Sequence, residues 1–169
     1  MMTMANTTNL TLETESYKQK IEDATGGLTA RYFNLLHDDV LPQNKENAMI
    51  ICNYIQSMKQ ELNLSDSYRG DVIIVLCNFS MLFKKSFKEG TREDILSFLN
   101  SFRKPEALDP LHKWIGTYNI FRMHLMRFFR WLYYPNIYPS KNRPKPPPIE
   151  NTTTQEKRKI NLQTHRPLD

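Results

Sequence analysis

Apolar side chains recur along residues 43–134 at steps of three and four, the spacing of one face of an α-helix. Four helices follow. The first runs from about Lys45 to Leu62, with Asn44 as N-cap and Ile51, Tyr54, Ile55, Met58 and Leu62 on its apolar side. Ser65 caps a second, reaching about Lys85, with Leu76, Phe79, Leu82 and Phe83 along one face. Its run Val72-Ile73-Ile74-Val75-Leu76 also fits a buried strand. The unbroken spacing through Phe79, Leu82 and Phe83 favours helix. Thr91-Arg92-Glu93-Asp94 reads as a capping box with Asp in the usual Glu/Gln position, opening a short helix through about Arg103. Its apolar residues are Ile95, Phe98, Leu99 and Phe102, and Pro105 and Pro110 bracket the loop that follows. The fourth helix, from about Leu111 to Tyr133, has the strongest pattern. Trp114, Tyr118, Phe121, Leu125, Phe128 and Leu132 form one seam. Such a stripe is first of all a packing face, and burying each side chain is worth roughly 1.5–3 kcal/mol.

The flanks read differently. Thr11–Ala24 fits a polar helix and Leu28–His37 a second one after Gly26-Gly27, while the Thr/Asn content of residues 3–11 predicts a disordered start. Pro135, Pro139, Pro144, Pro146, Pro147 and Pro148 cluster late and predict an extended linker of polyproline character. Five glycines in 169 residues are too few for the turns of a strand-rich fold. The expected class is all-α: an N-terminal arm over 1–42, partly disordered or helical, a helical bundle over 43–134, and a Pro-rich basic linker and disordered tail over 135–169.

Charge adds a direction to this plan. The formal net charge is +5, but residues 1–42 carry −3, residues 43–110 are balanced, and residues 111–169 carry +8. A basic C-terminal third suggests an anionic partner, nucleic acid or a membrane surface, and a solvated basic surface is the plainer alternative. On the fourth helix His112, Asn119, Arg127 and Arg130 fall roughly opposite the seam, with Lys113 and Arg122 on its flanks. No acidic residue stands within four positions of Asn119, Arg122, Arg127 or Arg130, so nothing local neutralises that face. Lys84, Lys85, Lys88 and Arg92 come from the second and third helices and Lys141, Arg143 and Lys145 from the linker. Asn119, Arg122, Arg127 and Arg130 with these seven form a candidate phosphate-contact surface of eleven residues.

Cys52 and Cys77 each sit in an apolar stretch and read as buried thiols, with no Cys/His spacing for zinc. No cofactor or small-molecule substrate is expected. The longest strongly apolar run, Val72–Cys77, is six residues, far short of the ~20 that span a bilayer. Without a signal-peptide pattern at the start, a soluble, cytoplasmic, nucleoid-associated protein is expected.

An ordered set of features runs through the chain: Ser65-Asp66-Ser67-Tyr68, Phe79-Ser80-Met81-Leu82-Phe83, Thr91-Arg92-Glu93-Asp94-Ile95 with Phe98-Leu99, Asp109–Thr117, and Arg127-Phe128-Phe129-Arg130-Trp131-Leu132. Over about 43–148 it resembles the core-binding domain of tyrosine recombinases, the phage-type integrases, and especially archaeal integrase-like proteins. The resemblance implies a SAM-like four-helix bundle that forms half of a clamp around double-stranded DNA. The groove-facing helices would fall on about 65–85 and 111–133, with a basic linker crossing the backbone, and a role in DNA integration and recombination would follow.

The same resemblance implies that catalysis lies elsewhere. The family's nucleophilic tyrosine, and the arginines, lysine and histidines that stabilise phosphoryl charge, belong to a separate downstream domain. Only 36 residues follow Tyr133 here, so a truncated, non-catalytic integrase is the expectation. His124-Leu125-Met126-Arg127 matches the His-x-x-Arg box of that missing domain but stands inside the aromatic helix. Tyr133, Tyr134 and Tyr138 read as packing or linker residues. The alternative function is a helical protein–protein module that pairs with, or inhibits, an intact recombinase.

Overall fold

The computed structural model describes residues 3–156, and among them there are helices and no strands. Seven α-helices follow in order: α1 Thr3–Thr25, α2 Ala30–Asn34, α3 Leu41–Gln43, α4 Lys45–Glu61, α5 Asp66–Phe83, α6 Arg92–Asn100 and α7 Trp114–Tyr133. A π-helical turn, Leu35–Val40, joins α2 to α3. Residues 157–169, the end of the expected disordered tail, lie outside the described residues.

The caps read from the sequence form. The Asn44 side chain accepts from the Asn47 amide, Ser65 from the Tyr68 amide, and Thr91 and Asp94 close a reciprocal capping box. Burial works against ionising Asp94, but the Thr91 hydroxyl and amide outweigh it and hold its pKa below the ordinary value. α7 starts later than the periodicity suggests. His112 adopts a left-handed backbone, φ 49°, which a right-handed helix cannot continue through. Asp109 accepts from the Trp114 amide instead, and that bond keeps its carboxyl below the usual range.

α5 sits at the centre. Val72, Ile73, Val75, Leu76, Cys77 and Phe79 are all at most 1% exposed. A helix enclosed on several sides is apolar around most of its circumference, which explains the run that also fitted a strand. α5 packs against α4, α6, α7 and the π-helical turn. Tyr32 of α2 lies across Gly70, where a Cβ would come within 2.8 Å of its hydroxyl. Phe79, Phe87, Phe98, Phe128 and Phe129 stack edge and face through the core. Burial pushes the Cys52 thiol up to about 12 and raises that of Cys77 as well, so neither is a reactive thiolate.

Two segments differ from the sequence expectation. Residues 3–11 begin α1 as helix rather than a disordered start. The expected arm is joined to the bundle, since Ile21, Ala24, Leu36 and Val40 belong to the same apolar cluster as Leu76. Arg69 and Lys59 donate to the carbonyls of Ala24 and Asp23 at the α1 C-terminus, where cations favour the helix dipole. The proline-rich stretch also folds back instead of extending. It makes 3-10 turns at Ser140–Asn142 and Pro147–Ile149, and Arg143, Pro146, Pro148, Ile149 and Thr152 are buried.

Asn47 ties the lysine-bearing connection after α5 in place. Fully buried, it donates to Ser80 Oγ and the Lys85 carbonyl and accepts from the Phe87 amide, at 2.8–2.9 Å.

Candidate nucleic-acid interface

The eleven candidate residues do not form one surface; the fold sorts them into groups. Lys84, Lys85, Lys88 and Arg92 follow the C-terminal end of α5. Tyr68, in the first turn of α5, lies about 24 Å away along the helix rise. Lys84 closes α5 in a left-handed conformation, φ 58°. Lys85 is exposed, with its ammonium over the Phe83 ring at 5.4 Å. Lys88 is paired with Glu46 at 3.0 Å, and the hydrogen bond from Lys88 lowers the Glu46 pKa. Lys145 is exposed on the linker.

Three of the residues hold the C-terminal segment. Arg92 donates from Nε to the Glu150 carbonyl at 3.0 Å and from Nη2 to the Asn151 carbonyl at 3.1 Å. Arg122 donates to the Thr152 carbonyl at 2.5 Å. Asn119 exchanges two bonds with the Gln155 backbone, donating to its carbonyl at 2.9 Å and accepting from its amide at 2.8 Å. Ile149, 2% exposed, anchors the strap between α6 and α7. Part of the unneutralised face read from the sequence is therefore engaged with backbone carbonyls. No carboxylate partner was needed, and a backbone acceptor leaves no mark in the residue types.

The remaining cations meet in one cleft of about 350 Å³. α4 supplies Tyr54, Ser57, Met58 and Glu61; α5 supplies Tyr68; α7 supplies Arg127, Arg130 and Trp131; the turn after α7 supplies Ser140, Lys141 and Arg143. Arg143 is a structural cation. It is 6% exposed, pairs with Glu61 at 3.1 Å, and donates to the carbonyls of Ile137 and Pro135. Arg127 Nη1 donates to Tyr68 Oη at 2.6 Å, with the guanidinium 5.9 Å from the ring centroid. Trp131 Nε1 donates to Ser57 Oγ at 3.0 Å. Arg130 Nε is shielded from solvent and has no hydrogen-bond partner among the described residues, and Lys141 has no ion pair among them. Tyr68, Ser57 and Trp131 were not candidates in the sequence reading. Only the fold brings them beside the arginines.

His124 of the His-x-x-Arg match is 3% exposed and meets the Tyr68 ring edge-on at 5.1 Å. Burial lowers its pKa, and Arg127 lowers it further against the pull of Asp71. It packs behind the cleft rather than lining it. Tyr138 is exposed and lies over the Arg143 guanidinium at 5.4 Å. A larger hollow of about 560 Å³ lies at the start of α7, lined by Phe102, Leu108, Leu111 and Trp114 with Lys104 and Lys113. It collects none of the eleven candidates. Among the described residues no cluster of His, Cys, Asp or Glu is arranged to hold a metal ion, and no helix is long and apolar enough to cross a membrane.

No protein-family model, curated protein or solved structure matches the chain.

Proposed function

We propose that the chain is a DNA-contacting helical module, similar to the core-binding domain of tyrosine recombinases, that grips duplex DNA through the cleft beside α7. One observation carries this reading. Arg127, Arg130 and Lys141 line a single cleft whose one carboxylate, Glu61, is already paired with Arg143. An excess of positive charge in a concave site attracts a polyanion and steers its approach. The cleft has no free carboxylate and no exposed histidine to move protons, so its chemistry favours binding over catalysis. Contacts would fall mainly on phosphates, which fix position without reading sequence.

Fluorescence anisotropy with a labelled random duplex tests the reading. The double variant Arg127→Gln/Arg130→Gln should weaken binding far more than Arg92→Gln/Arg122→Gln, whose side chains hold the strap. Equal losses, or no binding by the unsubstituted chain at low salt, would count against it.

A second reading has its own support. Leu108 and Leu111, at 77% and 60% exposure, stand at the larger hollow beside Lys104 and Lys113. Such a surface suits a protein–protein module, and an intact recombinase is the partner the resemblance suggests. Pull-down against that enzyme, with and without Leu108→Ser/Leu111→Ser, separates the two readings.

A further inference from the structure

We propose that the cleft between α4, α5, α7 and the 139–143 turn seats one phosphate group, with Tyr68 as the residue that positions Arg127. This rests on the DNA reading above and narrows it to a single, built contact.

A hydroxyl that accepts one hydrogen bond keeps its own proton to donate. Tyr68 Oη accepts from Arg127 and Ser57 Oγ accepts from Trp131, so both protons remain available. Arg130 and Lys141 add donors only. The one carboxylate in the cleft is held by Arg143, which also satisfies two carbonyls. The cleft therefore carries an excess of cationic donors over its one carboxylate, while its hydroxyls and the second Glu61 oxygen keep acceptor capacity. A nucleobase edge is uncharged and would leave the excess positive charge of Arg127, Arg130 and Lys141 unanswered. A phosphodiester presents acceptor oxygens and negative charge, and guanidinium groups pair with it in fork geometry. Arg130 Nε, desolvated and without a partner, is costly until an acceptor reaches it. Tyr68 holds Arg127 by the 2.6 Å bond at its hydroxyl. The arginine is thereby ordered before the anion arrives, which lowers the cost of binding.

The test titrates the full chain with inorganic phosphate at constant ionic strength and follows the two tryptophan indole N–H signals by NMR. Trp131 lines the cleft and Trp114 lines the other hollow, so the Trp131 signal should move saturably and the Trp114 signal should stay. Arg130→Gln should weaken phosphate binding by about tenfold, the effect of one charge-assisted hydrogen bond. Lys141→Gln, at an exposed position, should weaken it too and covers the case in which the arginine variant folds poorly. Tyr68→Phe should weaken it while the melting temperature changes little. A Trp131 signal that does not move, or substitutions that leave affinity unchanged, overturn the seat.

A duplex arm separates this from failure of the DNA reading. If the three cations share one phosphate, the variant Arg127→Gln/Arg130→Gln/Lys141→Gln lowers the slope of log K against log salt by about 0.9. A fall of roughly 2.7 means three separate phosphates, which overturns the seat and leaves DNA contact standing. Phosphate binding without duplex binding would leave the seat and remove the DNA reading.

Discussion

Glu61 makes opposite demands on stability and on binding, and Glu61→Gln pulls them apart. In the folded chain Glu61 Oε1 accepts from Arg143 Nη2 at 3.1 Å, with the two side chains 21% and 5% exposed. Gln keeps an acceptor oxygen in place but removes its charge. A hydrogen bond between charged groups is worth about 1.5–3 kcal/mol against about 0.5–1.5 for a neutral one, so the folded state should lose about 1–1.5 kcal/mol. For a chain of this length that is a fall of roughly 2–6 °C in melting temperature. Arg143 retains its bonds to Ile137 and Pro135, so the turn should stay docked. The cleft meanwhile becomes one charge more positive. A unit charge about 7 Å from a phosphate in water contributes about 0.6 kcal/mol, roughly threefold in affinity. That gain should be largest at low salt and fall to roughly 40% near 0.15 M, where the Debye length is about 8 Å. Thermal melting and duplex anisotropy at two salt concentrations read both effects on one preparation. A variant that melts lower yet binds tighter, with the larger gain at low salt, supports the cleft as the DNA-facing site. Unchanged or weaker low-salt binding by a folded Glu61→Gln protein refutes it.

Two other substitutions probe the supporting structure. Ile149→Ala should cost about 2–3 kcal/mol if the strap stays docked around the cavity, and a loosened strap should appear as faster proteolysis within residues 144–156; an unaltered digestion pattern and melting curve would contradict the anchoring role. His124 is held neutral by burial, so its folded pKa lies below its unfolded value. Stability should fall as the pH drops below about 6.5, where the unfolded imidazole takes up a proton that the folded one resists. Denaturant melts of His124→Gln should lose that dependence, leaving the carboxylate losses at lower pH, since Asp94 and Asp109 are also held below their ordinary values.

The parts of the fold that were legible in the sequence are those written locally. The caps at Asn44, Ser65 and Thr91 act over three residues, and the structure shows all three side chains accepting the expected amide. The α7 seam was readable for the same reason, although Ile115, His124 and Phe129 join the buried side and Trp114 and Leu132 are only partly covered. Long-range pairing left no such mark. Arg143 meets Glu61 across 82 positions, and Arg92 reaches carbonyls 58 and 59 positions away. A carbonyl acceptor has no side-chain identity, so a charge tally cannot see it. Charge made Arg127, Arg130 and Lys141 visible without the fold, but it did not separate them from Arg92, Arg122 and Arg143, which the fold engages elsewhere. Tyr68 and Ser57 stayed hidden because nothing local marks an uncharged hydroxyl that the fold will set beside two arginines. The docking of the proline-rich stretch was missed because proline clusters predict extension, while burial of Pro148 and Ile149 depends on a groove that other helices build.

The most direct test of DNA contact is the equilibrium affinity of the full chain for a random duplex, measured across a range of salt. Phosphate-dominated binding predicts a dissociation constant of about 10⁻⁶ to 10⁻⁴ M near physiological salt and a linear fall of log K with log salt. An affinity that does not respond to salt, or no binding even at low salt, would contradict the account.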